Sequence, residues 1–120
     1  MSQTIIHLHR AYDAASPADG YRIFVDRLWP RGLSHATFHY DLWPKEISPS
    51  TELRQWFHAD PAGRWTEFVS RYKLELAHNP VWPPLLASIL EKPVVTLIFA
   101  SHDVEHNEAV ILREVIEAGQ

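Results

Sequence analysis

The run Val94-Val95-Thr96-Leu97-Ile98-Phe99-Ala100 constrains this chain more than any other segment. Nearly every position is apolar or β-branched, so a strand built from it has no polar face to turn toward water. Such a strand must be covered on both faces, as a central strand of a parallel sheet is. Thr4–His9 and Tyr21–Asp26, also β-rich, supply neighbouring strands. Phe38–Trp43 alternates Phe38, Tyr40 and Leu42 with His39, Asp41 and Trp43, the pattern of an edge strand that Pro44 ends.

Between these runs the spacing turns helical. Leu53, Trp56 and Phe57 form one short stripe after Ser50, and Asp60-Pro61 opens a longer helix through Trp65, Phe68, Val69, Tyr72 and Leu76. Pro83-Pro84 starts a third helix that Lys92-Pro93 stops. A final helix carries Ala109, Val110, Leu112 and Ile116, with Glu105 and Glu108 in its acidic first turn and Asp103 as its expected cap. Strands alternating with helices predict a small three-layer α/β domain, its mostly parallel sheet of about three or four strands flanked by helices. A length of 120 residues fits one core, hence a single domain over 1–120.

Composition removes several function classes. Without cysteine the chain has no disulfide, thiolate nucleophile or sulfur-ligated zinc. A net charge of -4, with six acidic and two basic residues in 76–120, argues against nonspecific nucleic-acid binding, which relies on neutralising phosphates. No apolar run is long enough to span a bilayer, and Met1 to Ala11 lacks the long apolar centre and cleavage pattern of a signal peptide; a cytoplasmic location is expected. The glycine-rich motifs of dinucleotide, P-loop and α/β-hydrolase sites are missing.

The site is expected where a parallel sheet gathers ligands, at the carboxyl ends of its strands. Asp26 through Gly32 and Ser101 through Asn107 then face one crevice. Arg27 and Arg31 bring planar, permanently charged donors suited to phosphate or carboxylate, and the start of the last helix adds N–H groups. The competing reading pairs Arg27 with a carboxylate such as Asp41 and packs Trp29 and Pro30 as a rigid loop. Trp43, Lys45 and the serines at 48 and 50 could line the same pocket, although a serine there equally suits a helix cap and a tryptophan equally suits the core. Asp26, Asp41 and His106 are the candidates for proton transfer. His102-Asp103-Val104-Glu105-His106 has the spacing of an inverted zinc-peptidase motif, but His102 falls in a turn before the helix, so the two histidines do not share a helical face. No metal or cofactor is expected.

Several blocks taken together resemble the YeaO-like members of the domain-of-unknown-function family 488. They are Ala18-Asp19-Gly20-Tyr21-Arg22, Val25-Asp26-Arg27-Leu28-Trp29-Pro30-Arg31-Gly32, Asp41-Leu42-Trp43 and Ser48 through Arg54, and they continue through Trp56-Phe57-His58 and Asp60-Pro61 to Glu105-His106-Asn107. The resemblance covers nearly the whole chain. It implies a small α/β protein and marks Arg27 to Gly32 as the family signature, without implying an activity. Longer relatives carry a cysteine-containing motif near the last strand; Ala100, Ser101 and Asn107 stand in that region here, so thiol or metal chemistry does not transfer. Pro44 and His102 also depart from the pattern of the closer relatives.

The leading expectation is a binding domain for a small anionic ligand, a phosphate, nucleotide or phosphorylated metabolite, held by Arg27, Trp29, Arg31, Trp43, Lys45, Ser101 and Asn107. One alternative is a hydrolase or transferase acting on such a substrate. The other is an interaction or self-association module using exposed tryptophans, and a homo-oligomer stays open.

Overall fold

The computed structural model describes residues 3–120 and holds a three-stranded sheet with four α-helices. The strands are β1 (Ile5–Arg10), β2 (Tyr21–Phe24) and β3 (Val94–Phe99), in the order β1-β3-β2 and all parallel. The apolar run at 94–100 is therefore the central strand, with Leu97 opposite Leu8 on one side and Ile23 on the other. Phe38–Trp43 does not become a fourth strand. It makes one isolated bridge, Ile23 to Leu42, because its side chains are drawn into an aromatic cluster instead of a ladder.

The helices are α1 (Thr51–His58), α2 (Pro61–Ala77), α3 (Trp82–Leu90) and α4 (Glu108–Ala118). Ser50 caps α1 and Asp60 caps α2, each through a side-chain oxygen that accepts an N–H of the first turn. The cap of α4 is Asn107, whose Oδ1 accepts from Ala109 and Val110. Asp103, the expected cap, closes a tight turn instead: its Oδ1 accepts from Glu105 and His106, which holds these residues outside the helix.

All four helices contribute to one face of the sheet. There Ile6, Ile23, Val95, Leu97 and Phe99 meet Phe57, Phe68, Tyr72, Trp82, Leu112 and Ile116. At roughly 1.5–3 kcal/mol per fully buried side chain, this face carries most of the stability. The α/β class is as expected, but helices flank one face only. On the other face Phe24, Phe38, Ile98 and Ala11 are buried beneath Trp29, Leu33, Tyr40 and Trp43, so the third layer is an aromatic-rich loop. The polar half of that face holds buried Arg22, which donates to Asp19 and, through Nε, to the His39 carbonyl at 2.9 Å. Gly20 is required at the turn into β2: its φ is 64°, and a Cβ would lie 2.4 Å from the Val94 carbonyl oxygen. Among the described residues no helix is long and apolar enough to cross a membrane.

Candidate functional site

The carboxyl ends of β2 and β3 lie side by side, and the chain runs on from them into the segment 25–50 and toward α4. The Asp26 carboxylate joins the two ends by accepting the Ala100 N–H at 3.0 Å. Beside this junction is a cavity of about 430 Å³. Asp26, Arg27 and Leu28 come from the loop after β2, Ser101 to Asp103 and His106 to Glu108 from beyond β3, and Arg54, Phe57 and His58 from α1, with Phe68 of α2 also lining it.

Two guanidinium groups line this space, and among the described residues neither has a carboxylate at ion-pairing distance. Arg27 spends Nε and one terminal nitrogen on the carbonyls of Ser48 and Pro49, at 3.1 to 3.2 Å, which leaves its other terminal nitrogen free. Ser48 is itself tied to the Val25 carbonyl at 2.9 Å, so the pairing braces the loop after β2 against the approach to α1. The Arg54 Nε is sealed from solvent and has no acceptor among the described residues.

The acidic side of the cavity is a pair. Glu108, the first residue of α4, lines it with Asp26; burial and the nearby Asp26 charge push Glu108 well above the usual carboxyl range. Neither acid has a cationic partner among the described residues. Partial burial, helped by the Arg54 charge and opposed by Asp26, lowers His58 below the ordinary imidazole range. His106 is differently occupied: its Nδ1 lies 3.0 Å from the Asp103 carboxylate and its ring meets Trp65 edge-on. N–H groups of Glu105 and His106 and the His106 ring hold the Asp103 carboxyl below its usual range.

Of the residues singled out from the sequence, Asp26, Arg27, Ser101, His106 and Asn107 line the cavity. Asn107 does so as a cap, with Oδ1 occupied by α4 and Nδ2 donating to the Asp103 carbonyl at 2.9 Å. The Ala109 and Val110 N–H groups of the first turn of α4 are thereby occupied by this cap. Asp41 accepts the backbone N–H of Arg22 at 2.8 Å and lies outside the cavity; the carboxylate partner considered for Arg27 is not there.

Trp29 and Trp43 belong to the aromatic layer on the opposite sheet face, 5.7 Å apart between ring centres. Trp43 still bears on the site from behind, because its indole N–H donates to the Asp26 carbonyl at 2.7 Å. Lys45 lies over the Trp43 ring. Arg31 is exposed, and its carbonyl accepts the Tyr12 hydroxyl at 2.7 Å. The signature glycine, Gly32, has φ of 83° with open space around it, a backbone requirement of the loop.

Arg54, His58 and Glu108 were not singled out from the sequence. The signal was present for two of them: 54, 57 and 58 share one helical stripe, so a cavity floored by Phe57 also meets Arg54 and His58. Glu108 read as an ordinary acidic first-turn residue, and only the approach of α4 to the end of β2 brings it into one cavity with Asp26. Among the described residues no group of three His, Asp or Glu side chains is arranged to hold a metal ion.

Residues 5–119 match a family described as the inactive DUF488-N3 subclade. The uncharacterised protein YeaO of Escherichia coli (strain K12) is 41% identical over 109 residues, which covers 91% of this chain and 94% of that protein. The uncharacterised proteins Mb3100c of Mycobacterium bovis and Rv3073c of Mycobacterium tuberculosis are each 35% identical over 114 residues, covering 95% of both chains. No solved structure matches.

Proposed function

The chain belongs to the inactive DUF488-N3 subclade, and from that premise we propose that it is a binding domain for a small molecule bearing a phosphate or carboxylate. The observation that carries this reading is the pair of guanidinium groups, Arg27 and Arg54, that line one cavity without a counter-ion among the described residues. An anion between them gains charge-assisted, planar hydrogen bonds from guanidinium groups that no carboxylate neutralises. Phe57, Phe68, Leu28 and Pro49 offer an apolar wall for the rest of the ligand.

Binding is preferred to catalysis because the family is described as inactive. The hydrolase or transferase reading stands second, on the strength of the Asp26–Glu108 carboxyl pair in the same cavity. The interaction reading loses support, since Trp29 and Trp43 are half-buried against one another and against Phe38 and Tyr40. The reading includes a cytoplasmic location, where phosphorylated metabolites are made and retained.

Thermal unfolding with inorganic phosphate, ethyl phosphate and propionate tests it. A probe at about 100 times its Kd adds about 2.7 kcal/mol, roughly 10 °C in Tm for a domain of this size. We expect at least one probe to raise the wild-type Tm and Arg54→Met, whose side chain breaks no hydrogen bond, to abolish the rise. If no anion stabilises the wild type, or if Arg54→Met responds equally, the reading is wrong.

A further inference from the structure

β1 lies at one side of the sheet, and its backbone groups alternate between its neighbour β3 and the outside. The Ile5 N–H donates to the Pro93 carbonyl at 2.9 Å and the Ala11 N–H to the Phe99 carbonyl at 2.8 Å, so the odd-numbered residues face β3. Thr4, Ile6, Leu8 and Arg10 therefore turn their N–H and carbonyl groups outward. Two of these four are provided for. The Gln120 side-chain amide stands in for a strand at Thr4, accepting its N–H at 2.6 Å and donating to its carbonyl at 3.1 Å. Asp13 does the same at Arg10, where its carboxylate accepts the N–H at 2.9 Å and its own N–H donates to the carbonyl at 3.0 Å.

Ile6 and Leu8, between these two plugs, have no backbone partner on the outer side among the described residues. The opposite edge of the sheet is treated differently: along β2, the Asp41 N–H donates to the Arg22 carbonyl at 2.8 Å and the Phe24 N–H to the Leu42 carbonyl at 2.9 Å. Edge strands are ordinarily guarded by lysine, proline or a bulge. Residues 4–9 hold no proline and no permanently charged side chain, and their register with β3 is unbroken. Arg10 sends its guanidinium back to the carbonyls of Ala100 and Ser101, while Ile5 is 54% exposed next to the exposed His7.

We propose that this window pairs with the same window of a second copy of the chain, extending the sheet as an antiparallel pair about a two-fold axis at His7. The pattern of donors and acceptors is self-complementary. With the axis there, Ile6 stands opposite Leu8 of the second copy and exchanges both N–H···O bonds with it, and symmetry repeats the exchange to give four bonds. Parallel pairing does not close in this way, because a parallel ladder sets an outward-facing residue against one that turns away and so offsets two identical edges by one residue. Charge fits as well: across residues 5–9 no two permanent charges meet, and exposed Ile5 lies against His9 of the second copy. No residue of β1 lines the cavity, so both sites stay open in the pair, and the inference is independent of the anion reading.

Sedimentation over about 5 to 500 μM, the range suited to a short interface, tests the pairing. We expect a dimer that dissociates on dilution. His7→Lys, which sets two ammonium groups opposite one another at the axis, is expected to weaken it at least tenfold. Ile5→Lys, also at an exposed position, is the second variant and weakens it in the same direction; circular dichroism shows that each is folded. Geometry is read with single cysteines, since the chain has none of its own. The two copies of position 7 form a non-hydrogen-bonded pair with Cα atoms about 4.5 Å apart. His7→Cys then forms a disulfide dimer at least tenfold faster than Ile5→Cys or His9→Cys alone, while a mixture of those two crosslinks one to the other. A monomer throughout the range, a dimer that both lysine variants leave unchanged, or equal crosslinking at 5, 7 and 9 overturns the proposal.

Discussion

A guanidinium Nε sealed from solvent and bonded to nothing costs free energy, of order 1–3 kcal/mol for a buried polar group left unmade. Arg54 bears that cost beside a cavity that its side chain lines, whereas the more conspicuous Arg27 has most of its donors satisfied by backbone carbonyls. Buried Asp19 shows the opposite case, a charge fully provided for. Burial works against its ionised form, but the Ser16 N–H and the Arg22 guanidinium outweigh it and hold the carboxyl below 3.8. A depressed native value makes its contribution present above pH 3.8 and lost as pH falls through that lower value. Asp19→Asn, which leaves Arg22 buried and unpaired, is expected to cost about 3–5 kcal/mol at pH 7. The gap to wild type should narrow below pH 4 in urea titrations, and a gap independent of pH would refute the assignment.

At the scale of elements, period and punctuation carried most of the information. Val94–Phe99 is central because it is apolar on both faces, and Asp60-Pro61 starts α2 because cap and proline agree. What escaped was set by approach between elements distant in sequence. Glu108 comes to line a cavity with Asp26 only when α4 packs beside β2's end, and Asn107 caps α4 only because Asp103 is consumed in a turn. Half of the residues singled out for the site do line the cavity, but the tryptophans of the signature segment and its surroundings belong to the layer on the far face of the sheet. The abundance of indole there reflects a sheet face covered by a loop, which needs large rigid rings where a helix is lacking. Trp29→Ala is accordingly expected to lower stability by about 2–3 kcal/mol, below the cost of a fully buried tryptophan. It should leave any anion-dependent rise in Tm intact, measured in the same thermal assay; loss of that rise with the fold preserved would tie Trp29 to the site after all.

The whole molecule divides its labour between the two faces of one small sheet. Helices on one face build the core, a loop layer on the other braces the strand ends through Trp43, and the cavity opens where β2 and β3 end together. The arrangement predicts that binding is local to that junction. The most direct measurement is a nuclear magnetic resonance titration with inorganic phosphate that follows the Nε–H signals of the arginines. Saturable shifts confined to Arg54 and Arg27, with Arg31, Arg64 and Arg71 unmoved, are the predicted result. Shifts spread evenly over the surface arginines, or an Arg54 signal that does not move, would contradict the assignment of this cavity as an anion site.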